Sequence, residues 1–136
     1  MEKKIILWTE ELATGIAWQD FQHRQFLTFT NALFDDFFKN KGLIDLEPSI
    51  HFMERYAKEH FSLEEQYMDM LQYPETKEHK EQHSSFREFV ESLKQLERNT
   101  TVEGARLCNK INNWFAEHIR VTDKDLGAFL TEQGQK

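Results

Sequence analysis

Apolar residues recur at three- and four-residue steps along four stretches of the chain, and short breaks separate the stretches. That period is the signature of a helix with one buried face. The first stretch runs from about Gln19 to Lys39, with His23, Phe26, Leu27, Thr30, Leu33, Phe34 and Phe37 in its stripe. Lys41-Gly42 should end it, Gly being suited to the left-handed cap conformation. The second is expected from near Pro48 to about Leu71, carrying Ile50, Met53, Ala57, His60, Glu64, Tyr67 or Met68, and Leu71. Tyr73-Pro74 opens a third, to about Arg98, with His79, His83, Phe86, Val90, Leu93 and Leu96 on its face. After Asn99-Thr100-Thr101, a loop with N-cap candidates, the fourth stripe is Leu107, Ile111, Trp114, His118 and Val121, and Asp125-Leu126-Gly127 leads into a short tail.

Helices of this length joined by short connections pack against antiparallel neighbours. The expected fold is all-α, an up-down-up-down four-helix bundle with an N-terminal arm and a short C-terminal helical tail. It forms a single domain, 1–136, with the bundle over about 19–123. Five of the six histidines, one glutamate and one aspartate stand inside the apolar stripes, where core residues belong. A buried polar group without a partner costs several kcal/mol, and an unpaired charge more. Bound cations would compensate them. His51 falls one step off its stripe and reads as a surface residue.

Composition narrows the classes. The chain has twelve Phe but only two Pro and five Gly, which favours long helices over a sandwich or barrel. A formal net charge of -7 argues against nucleic acid or an anionic membrane surface as a partner. No apolar run approaches the roughly 20 residues of a membrane span, and the apolar patch of MEKKIILWTEEL is too short for a signal-peptide core. Cys108, the only cysteine, reads as a small packing residue and fits a reducing compartment. A cytoplasmic location is expected.

The spacings carry the chemistry. Side chains four apart on a helix lie about 40° apart and about 6 Å along the axis, so His60 with Glu64, and His79 with His83, can each serve one metal centre. Either pair alone is a weak signal. His118 and Asp123 are five apart, about 140° around an ideal helix. They meet only if the helix distorts locally, by a π-bulge, or ends so that Asp123 folds back. Taken alone, Asp123 reads as the cap of the following turn. Taken together, the pairs and His23 give five imidazoles and two carboxylates, ligands suited to iron, zinc or manganese. Two six-coordinate ions bridged by both carboxylates and one shared oxygen would keep a single open position.

At this point the sequence resembles the hemerythrin family, specifically its bacterial type. The matching text runs from Leu7 to about Leu130 and includes LWTEELATGIAWQDFQH, HFSLEEQYM, YPETKEHKEQH and NWFAEHIRVTD. The ordered set H…HxxxE…HxxxH…HxxxxD is highly specific. The resemblance implies a site of two iron ions. His79, His83 and His118 would hold the coordinatively filled iron, and His23 and His60 the iron with the vacancy. Glu64, Asp123 and an oxo or hydroxo group would bridge them. Phe26, Phe61, Trp114, Phe115 and Ile119 look like the family's apolar lining of the vacant side, and each is equally a bundle-core residue. Arg120, just past that lining, is expected to point to solvent.

The function implied is reversible dioxygen binding for storage, delivery or sensing, without enzymatic turnover. Five neutral imidazoles and two carboxylates disfavour the higher oxidation states that carboxylate-rich diiron oxygenases use. Two alternatives stand beside it: oxidase, peroxidase or nitric-oxide chemistry at the same irons, and oxygen sensing for a signalling partner through the arm Lys3 to Trp8. A structural zinc site is the plainest further reading.

Overall fold

The computed structural model describes residues 6–95 and 101–136, and the side chains of all of these but 101 and 102. Every long element in it is helical. Helix α1 spans Ala17–Lys39. Helix α2 is built of Leu46–Tyr56, a π-helical turn Ala57–Phe61, and Ser62–Leu71. Helix α3 is Thr76–Lys94. Helix α4 runs unbroken through Thr101–Trp114, a π-helical stretch Phe115–Asp123, and Lys124–Glu132. The result is the expected four-helix bundle, with α1 packed on α2 and α4, and α3 packed on α2.

Local chemistry sets the ends. The Asp20 carboxylate accepts the backbone N–H groups of Thr14 and Gly15 at 2.8 and 3.2 Å, tying the arm to the first turn of α1. Asp45 caps α2 by accepting the Glu47 N–H. The turn after α1 takes Lys41 and Gly42 through positive φ, 55° and 88°. Gly42 behaves as the sequence suggests. The arm is held by a two-way amide pairing, Ile6 N–H to Asn31 Oδ1 and Asn31 Nδ2 to the Ile6 carbonyl, both at 2.9 Å. Arg24 lies over the Trp8 ring at 4.5 Å.

Several sequence expectations need adjustment. Helix α2 starts at Leu46, so Pro48 lies within its first turn. Its end at Leu71 is the expected one and is set by Gln72 in the left-handed region, whereas α3 begins two residues after Pro74. Val121, assigned to the buried stripe of the fourth helix, is 55% exposed, because the π-helical stretch rotates it outward. The expected C-terminal helical tail is present as Lys124–Glu132. It continues α4 and buries Leu126 and Leu130. Met68, and not Tyr67, fills the core position. The expected stripe member Leu96, the helix end at Arg98, the Asn99-Thr100 loop and the first residues of the Lys3–Trp8 arm lie outside the described residues; so does the Thr101 side chain.

The core comes in two apolar blocks. The larger gathers Phe26, Leu33, Met53, Tyr56, Phe61, Phe86, Leu93, Ile111, Trp114 and Ile119 among others. The smaller holds Ile16, Met68, Tyr73, Leu126 and Leu130. A buried polar layer stands apart from both: Gln19, His23, His60, Glu64, His79, His83, His118 and Asp123, none more than 1% exposed. Among the described residues no helix is long and apolar enough to cross a membrane.

Candidate metal centre

All seven donors singled out by spacing meet in that layer. Ligand atoms of Glu64, His79, His83, His118 and Asp123 lie within 4.8 Å of one another, and so do those of His23, His60, Glu64 and Asp123. The two groups share both carboxylates. Glu64 turns Oε1 to His79 and His83, each at 3.1 Å, and Oε2 to His60 at 3.3 Å. Asp123 turns Oδ1 to His79 and His118, each at 3.0 Å, and Oδ2 to His23 at 2.8 Å and His60 at 3.2 Å. Each carboxylate thus divides its oxygens between a set of three imidazoles and a set of two.

The local helix geometry makes this possible. In the π-helical stretch Phe115–Asp123 hydrogen bonds step five residues, so His118 and Asp123 return to one side of the helix. Of the ways open to Asp123, the distorted helix is therefore the one adopted. The capping role does not occur, since its side chain is fully buried and bonds no helix N–H. The shorter π-helical turn Ala57–Phe61 ends one residue past His60 and was not foreseen, because His60 and Glu64 already satisfied an ideal helix.

The donors fit a metal by an independent criterion. Two ligand atoms at about 2.1 Å from one ion, and at right angles, are about 3.0 Å apart. The N···O separations, 2.8–3.3 Å, have that value. Moreover, His118 Nε2 and Asp123 Oδ1 are buried and make no hydrogen bond despite their 3.0 Å approach. Atoms so close yet so poorly aligned point at a common third atom, as ligands do.

A surrounding ring of acceptors orients the imidazoles. The Nδ1–H of His60 donates to Gln22 Oε1 at 2.5 Å, that of His118 to Gln82 Oε1 at 2.6 Å, and that of His83 to Glu65 Oε2 at 2.7 Å. A proton held on Nδ1 leaves the Nε2 lone pair free to face inward. Gln19 Nε2 donates to Glu64 Oε2 at 2.9 Å and to the Asp123 carbonyl at 3.0 Å, joining α1 to both acid-bearing helices. The sequence reading missed these four residues. Gln22 and Gln82 each precede a donor histidine but serve the histidine of another helix, so no spacing along the chain reveals them.

Electrostatics without metal follow from the same distances. Burial favours a neutral His60 ring, but Glu64 and Asp123 outweigh it and raise its pKa to about 9. Burial likewise opposes the charge on His79, and the same carboxylates raise it to about 10. Burial prevails at His118 and takes it down to about 4. For Glu64, burial and the charge on Asp123 oppose ionisation, yet His60 and His79 hold it well below the usual carboxylate range. Burial opposes the Asp123 charge too, and the facing imidazoles of His118, His23 and His60 overcome it. Two protons therefore balance two carboxylates, and an incoming cation would take their place.

Aromatic rings seal one side. Phe61 stacks on His83 and Trp114 on His118, each pair with centroids 3.9 Å apart. These rings lie flat on the set of three imidazoles, and Phe61 also approaches His60 of the set of two, with centroids 6.1 Å apart. The aromatic stacked on the smaller set is Tyr56, 4.8 Å from His60, which the sequence reading passed over. Phe26 reaches the centre through Tyr56, their centroids 4.9 Å apart. Phe115 and Ile119 are buried in the same block. His51 and Arg120 are exposed, and the buried Cys108 thiol is pushed up to about 12 by desolvation.

Comparison with known proteins agrees with this geometry. The family model described as hemerythrin HHE cation binding domain matches residues 14–130. A bacteriohemerythrin of Ralstonia nicotianae is 24% identical over 131 residues, covering 96% of this chain and 92% of that protein. A bacteriohemerythrin of Clostridium acetobutylicum is 28% identical over 127 residues, covering 89% of this chain and 98% of that protein.

Proposed function

Because the chain belongs to the hemerythrin family, we propose that its seven buried donors hold two iron ions and bind dioxygen reversibly. The observation that carries the reading is the division of both carboxylates between unequal imidazole sets. His79, His83 and His118 would hold one iron, and His23 and His60 the other, with Glu64 and Asp123 bridging. The larger set then fills its ion and the smaller leaves a position open. When bound, such a pair supplies the electrons and the open site that reversible dioxygen binding needs.

The chain's own residues do the rest. Gln22, Gln82 and Glu65 fix the rings of His60, His118 and His83. Gln19 holds the Glu64 carboxylate in its bridging orientation. The stacked rings of Phe61, Trp114 and Tyr56 exclude water from the inner side, which protects a reduced site from oxidative loss. Among the described residues, Gln22, Gln82 and Glu65, which bond the donor imidazoles, are each tied to a ring nitrogen. That favours carriage over turnover and sets oxidase or peroxidase chemistry second.

The test is an absorption spectrum of anaerobically reduced protein before and after air, with iron counted per chain. Two irons and a change that vacuum reverses support the proposal. One iron, two zincs, or an irreversible bleach refute it. His79→Ala adds the residue-level check, since it should lose iron; two irons and an unchanged spectrum would remove His79 from the donor set.

A further inference from the structure

The two aromatic rings that carry polar tips on the sealed side of the centre bring those tips close to each other without a well-aligned hydrogen bond between them. Tyr56 is 5% exposed and Trp114 is 7% exposed, and neither the Tyr56 hydroxyl nor Trp114 Nε1 finds a hydrogen-bond partner among the described residues. Leaving a buried donor unmade costs about 1–3 kcal/mol. Phenylalanine would fill either place without that cost, and Phe26, Phe61 and Phe86 do so all around them. In a chain with twelve Phe, two orphaned donors here call for a ligand.

Their placement points the same way. Tyr56 stands four residues before His60, and Trp114 four before His118. In an up-down-up-down bundle α2 and α4 run in the same direction and face each other across the core. One turn before a donor histidine is therefore the same level on both helices. Each ring stacks on its own histidine, Tyr56 on His60 and Trp114 on His118, and the indole N–H lies near the Tyr56 hydroxyl, so the two polar tips meet beside the centre.

We propose that the Tyr56 hydroxyl and the Trp114 indole N–H clamp the outer atom of a small hydrogen-bond-accepting ligand held end-on at the centre. Dioxygen bound to reduced iron and a linear anion such as azide share that chemistry. The inference rests on the diiron reading above. It assigns an otherwise apolar pocket two specific donors, and so a preference for ligands with lone pairs beyond the atom that touches the metal.

Tyr56→Phe is the decisive variant, since it removes one oxygen and keeps the ring stacked on His60. In the iron-loaded, oxidised protein, azide and chloride are titrated by absorption. The variant should weaken azide about five- to tenfold and leave chloride, which has no outer atom, unchanged. Equal azide constants for the two proteins overturn the clamp, as does equal weakening of both anions. A second measurement needs no metal: thermal unfolding with chelator present. The variant should melt at the same temperature or higher, because it loses only an unsatisfied hydroxyl. A lower melting temperature would reveal a structural partner and overturn the proposal. Failure of the unaltered protein to take up two irons would overturn the diiron reading and the clamp together, whereas two irons with unchanged azide binding overturns the clamp alone.

Discussion

Asparagine at position 123 keeps the size of the side chain and removes one of the two buried negative charges. Asp123 faces four imidazoles: His23 at 2.8 Å, His60 at 3.2 Å, and His79 and His118 at 3.0 Å. Without metal, protonated His60 and His79 balance ionised Glu64 and Asp123. Asp123→Asn leaves a surplus positive charge in a fully buried site, which should cost about 3–5 kcal/mol near pH 6. A domain stability of about 5–15 kcal/mol leaves the variant folded enough to measure. The cost must depend on pH. The folded values of His60 and His79, about 9 and about 10, lie above an unfolded value of about 6.5. Their stabilisation is therefore complete below about pH 6.5 and is lost as pH rises through those folded values. Beyond that, the wild-type layer holds two unneutralised carboxylates and the variant holds one, so the difference shrinks and can reverse sign. Urea unfolding with chelator, at pH 6 and pH 10, reads both quantities. A penalty below about 1 kcal/mol at pH 6, or the same penalty at both values, would refute the charge-balanced layer.

Other perturbations test other parts of the structure. Glu65→Gln replaces the anionic acceptor 2.7 Å from His83 Nδ1 and should weaken iron retention about 10- to 100-fold in competition with a chelator; unchanged retention would show that the carboxylate does not tune His83. Phe61→Ala removes the ring stacked on His83 and should cost about 3–5 kcal/mol in metal-free stability. It should also speed oxidative loss of the reduced site more than it lowers iron content, as should Ile119→Ala, and equal oxidation rates in all three proteins would dismiss the sealing role. Gly104→Ala would drive a methyl group into the Gly42 carbonyl oxygen and against Phe37, where α4 crosses the turn after α1. It should lower stability by about 1–3 kcal/mol, and an unchanged melting temperature would deny that close approach.

Much of the site was legible because burial and spacing are local properties. A histidine inside an apolar stripe declares that it points inward, and His23, His60, His79, His83 and His118 all do. Asp123 was harder. Its place depended on whether the helix kept its ordinary period, and nothing in NWFAEHIRVTD states that locally. The same distortion put Val121 outside and carried α4 on to Glu132. The bonding energy of the assembled layer can hold a π-helical stretch that propensity alone would not choose.

The order of apolar and polar residues was therefore sufficient for four helices, a bundle and the inward direction of six donors, while Asp123 entered only through the set taken together. It could not say which oxygen of Glu64 or Asp123 would face which imidazole. Nor could it show that Gln22 and Gln82 would serve histidines on other helices, or that Tyr56 would lie on His60. The reason is geometric. Periodicity records which face of a helix leaves water, whereas contacts between helices depend on their relative level and rotation, which are fixed only when every face is packed at once.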